Sequence, residues 1–280
     1  TGAENTAVGG YGTLGYNTTG SYNTAVGRLA LWKQTTATLN TAVGKSAGAA
    51  ITTGSWNTAV GAGALESCTD GEGNTAIGQE SLDSLTTGDS NVGCGRSTGA
   101  GVTTGGQNTF VGYLAGAAVN TGSGNVAIGE QAMEVQTGVS QNVAVGQRTL
   151  EANSTGAYNV AVGGEAFRSN TTAGGNTAVG YAAGTANTTG DSNTFFGYNA
   201  GVANTTGGTN TLLGNRAGDA NTTGGNNTCI GYGADVNASG ADNQIVLGKG
   251  VTGNADSSFC FGSGSSDSAI ANGATSITAP

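Results

Sequence analysis

The chain has no histidine, one proline and only 9% charged residues among its 280. Without histidine no Ser-His or Cys-His dyad can form, and no GxxxxGK[ST] loop is present to cradle a phosphate. The four cysteines, Cys68, Cys94, Cys229 and Cys260, show no CxxC spacing that would make a metal knuckle or a disulfide framework. No basic run occurs, and 17 acidic against 8 basic residues give a net charge of −9, which makes nucleic acid and anionic membranes poor partners. No apolar stretch approaches the roughly 20 residues of a membrane-spanning helix. Thr1 opens no recognisable signal peptide. We therefore expect no enzyme, no cofactor and no dedicated metal site.

What the chain has is repetition. A pentapeptide, Asn-Thr-Ala-Val-Gly and close variants, returns every seventeen residues; its closing glycine stands at Gly9, Gly27, Gly44, Gly61 and onward to Gly248, and only the first interval is eighteen. A fixed short period means one structural unit stacked on itself. The 54 glycines would suggest disorder if scattered, but here they keep register and mark turns. We expect one repeat domain over 1–248 and a different end over 249–280. Ser258-Phe259-Cys260-Phe261-Gly262 offers one last strand-like segment.

Within a coil, places two to four alternate as a strand does. The fourth place is apolar throughout (Val8, Val26, Ile77, Phe196, Leu213, Leu247) and is expected to line the core. The third is mostly alanine but becomes Phe110, Phe195, Leu212, Cys229 and Val246. Both faces thus look partly buried, and a homotrimer that covers one of them with sister chains explains this. At the ninth place glycine (Gly48, Gly116, Gly184) trades with bulk (Leu31, Leu65, Met133, Phe167), which suggests a second short strand or arc. Asn-Thr-Thr-Gly at Asn187, Asn204 and Asn221 reads as a turn in which asparagine and glycine take left-handed conformations. Glycine recurs too often for helix. The fold class is therefore all-β: a parallel β-solenoid or β-roll of about fifteen coils. At about 4.8 Å per coil it is on the order of 70 Å long.

Candidate contact residues are aromatic. Trp32 stands at the tenth place, Trp56 and Tyr158 at the seventeenth, Tyr181 and Tyr198 at the sixth. Such faces beside asparagine and threonine could stack on sugar rings, or pack between coils or chains. Glu66 with Asp83, and Glu134 with Glu151, fall at the tenth place of consecutive coils, where a bridging cation or a solvated column would both fit. The Thr-Thr pairs read as turns rather than as an ice-binding TxT array. Asn17, Asn153, Asn170, Asn187 and Asn204 satisfy the glycosylation sequon, as chance predicts in so Asn- and Thr-rich a repeat.

The Asn-Thr-Ala-Val-Gly coil resembles the Ser-Val-Ala-Ile-Gly repeat of trimeric autotransporter adhesin heads, which are left-handed parallel β-rolls of three chains. Gly175–Gly190 and Thr209–Gly224 are more closely similar to bacteriophage tail-fibre repeats of the type GxNTAVGxxAGxxNTTG. The ending Ser276-Ile277-Thr278-Ala279-Pro280 resembles the residues ahead of a self-cleaving intramolecular chaperone in such fibres. The resemblance implies a homotrimeric, extracellular fibre segment of a virion tail, with Pro280 as the mature C-terminus. Its partners would be a host surface glycan or protein and other fibre or tail proteins. The alternative it leaves open is a bacterial surface adhesin head or other extracellular filament protein.

Overall fold

Each repeat contributes one three-residue strand at places two to four, where β-branched and small residues alternate ahead of the left-handed glycine at place five. The computed structural model describes residues 2–263 and the backbone of 268–270; the Ser276–Pro280 motif lies outside the described residues. No helix occurs among the described residues. The chain divides into two compact units, 1–142 and 143–280.

The first unit holds β1 (Thr6–Val8), β2 (Thr24–Val26), β3 (Thr41–Val43), β4 (Thr58–Val60), β5 (Thr75–Ile77), β6 (Val92–Cys94), β7 (Thr109–Val111) and β8 (Val126–Ile128). Each pairs in parallel with the next, place on place, so that Ala25 faces Ala42 and Val26 faces Val43. The second unit repeats the plan with β9 (Val143–Val145), β10 (Val160–Val162), β11 (Thr177–Val179), β12 (Thr194–Phe196), β13 (Thr211–Leu213), β14 (Thr228–Ile230), β15 (Ile245–Leu247) and β16 (Phe259–Phe261). The segment expected to be strand-like after Gly248 is therefore a strand, and β17 (Ser268–Ile270) closes on it antiparallel. Both units are parallel β-solenoids of seventeen-residue coils.

The faces of the strand are the reverse of those expected. The third place is the core: Ala25, Ala42, Ala127, Phe195 and Leu212 are all fully buried. The fourth place points outward, with Val8 57%, Ile77 44%, Phe196 53% and Leu213 43% exposed. The physical reason is girth. The interior of a coil this short has a fixed volume that the third and ninth places fill between them, which leaves the fourth-place column to the outside.

Volume inside is balanced between the third and ninth places. Alanine at the third place goes with bulk at the ninth, as in Ala25 with Leu31, Ala59 with Leu65 and Ala161 with Phe167, all buried. Where the third place is Phe110, Phe195 or Leu212, the ninth is Gly116, Gly201 or Gly218; a Cβ at Gly116 would stand 2.4 Å from the Phe110 ring. Gly184 is also glycine because Phe167 and Phe195 lean into its coil from either side, 2.4 and 2.7 Å from where its Cβ would be. The ninth place is an arc of turns, with no strand.

Left-handed backbone falls at places five, seven, nine and seventeen, as at Gly27 (φ 126°), Leu29 (62°), Leu31 (49°) and Leu39 (59°). The Asn-Thr-Thr-Gly segment takes none of it, contrary to expectation: Asn187 and Gly190 are absent from the positive-φ set. Gly190 is required by close approach, since a Cβ there would meet the Gly207 carbonyl oxygen at 2.2 Å.

Polar ladders tie coil to coil. The first-place asparagines are buried, and each presents its amide oxygen to the next coil. The Asn40 backbone N–H donates to Asn23 Oδ1 at 2.9 Å, while Asn40 Nδ2 donates to the Gly54 carbonyl at 2.9 Å. The same pair of bonds holds Asn193, at 2.7 Å to Asn176 Oδ1 and 2.9 Å to the Gly207 carbonyl. A second asparagine ladder runs through the twelfth place of the second unit, where Asn187 Nδ2 donates to Asn170 Oδ1 and Asn204 Nδ2 to Asn187 Oδ1. In the first unit five coils have Ile51, Cys68, Leu85, Val102 and Val119 there, all buried, and the other three have Asn17, Gln34 and Gln136. In the threonine pairs the first hydroxyl donates to the matching carbonyl one coil on, as from Thr188 to Thr205 at 3.1 Å and from Thr205 to Thr222 at 2.9 Å.

Candidate functional site

Outward-facing chemistry is concentrated where a column departs from the repeat. Trp32 is the clearest case. Its neighbours at the tenth place are Gly15 and Ala49, both too small to cover an indole, so a depression opens beside each side of the ring. One, of about 380 Å³, is lined by Leu29, Trp32, Ser46, Ala49, Ala50 and Glu66. The other, of about 280 Å³, is lined by Tyr16, Trp32, Lys33 and Thr35. Gly12 and Gly15 let the indole edge lie on the backbone, since a Cβ at either would stand 3.1 Å from Trp32 Cδ1. Tyr16 tilts against the indole at 5.7 Å between ring centroids, and Lys33 Nζ lies 5.9 Å from the indole centroid. A third depression, of about 200 Å³, adjoins the first by sharing Ser46 and Glu66; it adds Lys45, Gln79 and Glu80.

The other expected contact residues are placed as follows. Tyr181 and Tyr198 stack on each other at 5.8 Å with 16° between planes, each about half exposed, so one ring face of each is used between coils. Tyr113 behaves similarly beneath Arg96, whose guanidinium stands 4.7 Å from the ring centroid while Nη2 donates to the Tyr113 hydroxyl at 2.9 Å. Trp56 and Tyr158 project at 58% and 67% exposure, in different units, both on left-handed backbone near φ 60°. Leu39, overlooked as a contact residue, stands 49% exposed at the seventeenth place between Tyr22 and Trp56 and joins them into an apolar column. Ser46 was also overlooked, because a serine inside a repeat carries no signal until its neighbours leave it facing a groove.

Two of the tenth-place carboxylates, Glu151 and Asp219, are answered by cations. Arg168 Nε meets Glu151 at 2.8 Å, Arg148 Nε meets it at 3.4 Å, and Arg216 Nε meets Asp219 at 2.7 Å. Glu134 accepts from Gln131 Nε2 at 2.9 Å. Among the described residues no group of three or more acidic, cysteine or histidine side chains is poised to hold a metal ion. Burial pushes the Asp235 carboxyl up to about 7, helped by the neighbouring Asp219. Burial likewise raises the thiols of Cys68 to about 11 and Cys229 to about 12, so these two fill the core as unreactive thiols. Cys94, at the outward fourth place, is exposed. Four of the sequon asparagines, Asn153, Asn170, Asn187 and Asn204, are fully buried in the ladder and closed to glycosylation.

Among the described residues no helix is long and apolar enough to cross a membrane. No protein-family model matches the chain, and no curated protein matches it either.

Proposed function

We propose that the chain is a stiff, self-associating segment of an extracellular fibre of the phage tail-fibre type, a homotrimer that presents weak contacts to a host-surface glycan or protein. The observation that carries this reading is the outward fourth-place row. Val43, Ile77 and Ile128 in the first unit, and Phe196, Leu213 and Ile230 on three consecutive coils of the second, stand 37–53% exposed. Scattered exposed aliphatics need no explanation, but an apolar row repeated at every coil is a surface that water disfavours. Its complement is a second copy of the same chain, because only another stack of the same rise keeps register with such a row from one coil to the next. Burying it in a trimer interior is what the expectation of two covered faces requires, with the roles of the third and fourth places exchanged.

A fibre of this kind acts by position and number. Each contact is weak, and three chains offering it together gain by effective concentration. The test is disruption of the row: Phe196→Asp with Leu213→Asp should convert the associated species to single chains in light scattering, while the circular dichroism of the solenoid is kept. An assembly unaffected by both substitutions would sink the reading.

A further inference from the structure

Ser46 is 7% exposed, yet among the described residues its hydroxyl has no protein hydrogen-bond partner. The hydroxyl is not sealed from solvent, so where the residue opens to the groove a water or a ligand polar group completes it. It lines both adjoining depressions beside Trp32, and the Glu66 carboxylate, also without a partner among the described residues, lines both as well. The rest of the lining is mainly apolar, made of Leu29, Ala49, Ala50 and the indole, with Lys33 and Ser67 as its other polar members.

We propose that this groove binds a glycan through an N-acetylhexosamine unit, with the pyranose ring on Trp32, its hydroxyls on Ser46 and Glu66, and the acetamido methyl against Leu29, Ala49 and Ala50. The proposal rests on the surface-contact reading above and narrows it to one ligand class and one place. An aromatic face matches the C–H face of a pyranose. A plain hexose would leave the aliphatic wall wet, whereas an apolar peptide side chain would cover that wall and strand the Ser46 hydroxyl and the Glu66 carboxylate. Lys45, Gln79 and Glu80 in the adjoining depression offer donors and acceptors to the next sugar of the chain.

The chain has two tryptophans, so Trp56→Phe leaves Trp32 as the single indole reporter. Titrated with N-acetylglucosamine, N-acetylgalactosamine, N-acetylmannosamine and the β-linked disaccharide of the first, at least one should shift Trp32 emission saturably. It should bind about fivefold more tightly than its unacetylated parent hexose, the effect of one buried methyl. Ser46→Ala should weaken that binding about tenfold with the melting temperature unchanged, since Ala182 already occupies the same place of another coil on left-handed backbone (φ 54°). No saturable change with any of the N-acetylated sugars, or equal binding of the parent hexose, overturns the proposal. A chain that associates yet ignores these sugars overturns the groove alone. One that binds them as a single chain upholds the groove and counts against the trimer.

Discussion

A first-place asparagine meets two demands that no apolar residue meets: its oxygen receives the next coil's backbone N–H, and its amide nitrogen reaches the carbonyl that closes its own coil. Asn193→Ala would strand the buried Asn210 N–H, now 2.9 Å from Asn193 Oδ1, and leave the Gly207 carbonyl with only its bond from Asn204 Nδ2. We expect a loss of about 1–3 kcal/mol, read by denaturant unfolding. Asp235 gives a residue-scale pH effect of definite sign. Its carboxyl is raised from its ordinary 3.8 to about 7, so the folded chain holds a proton that the unfolded chain releases between those values. That contribution is full below about pH 4 and is lost as pH rises toward 7. Asp235→Asn should remove this slope from the melting curve and stabilise the fold at pH 8 by about 1–2 kcal/mol, after discounting for solvent screening at a part-buried group. The asparagine column was visible in the sequence as repetition, but its role was not. Asparagine in a repeat reads as turn chemistry, and only the coil-to-coil register shows that Asn187, Asn204 and Asn221 are ladder residues instead of left-handed turn residues. Leucine at Leu31 and Leu65 on left-handed backbone was equally hidden, because burial of the side chain outweighs a preference that local sequence reports as unfavourable.

At the scale of one coil, the period-two alternation located the strands of the repeat but not β17, and its two faces were assigned the wrong way round. Hydrophobic size was the misleading cue. The fourth column is larger and more uniformly apolar than the third, yet the interior takes alanine beside a bulky ninth place and takes Phe110, Phe195 or Leu212 where the ninth place is glycine. This compensation makes a test. Phe195→Ala should cost about 3–5 kcal/mol through the cavity it leaves. Gly201→Leu alone should also destabilise, because a side chain there meets both the Phe195 ring and Leu212 Cδ1, each 3.0 Å from the added Cβ. Adding Phe195→Ala removes the first of these contacts, and the double mutant should recover about 1–2 kcal/mol relative to the sum of the singles. Additive losses would contradict the volume balance.

For the whole molecule, the glycine period made the parallel stack legible from sequence alone, since an invariant spacing leaves few other folds for so glycine-rich a chain. The division into units 1–142 and 143–280 was not legible, because the repeat runs through it without a change of period. Nor was the Trp32 groove, which exists only because Gly15 and Ala49 happen to flank one tryptophan in its column. The outward apolar row is the feature that joins fold to function, and association through it is the central claim. Sedimentation equilibrium of the purified chain over a wide concentration range tests it most directly. The account predicts a single species of three times the chain mass that persists on dilution; a mass equal to one chain at every concentration would contradict it.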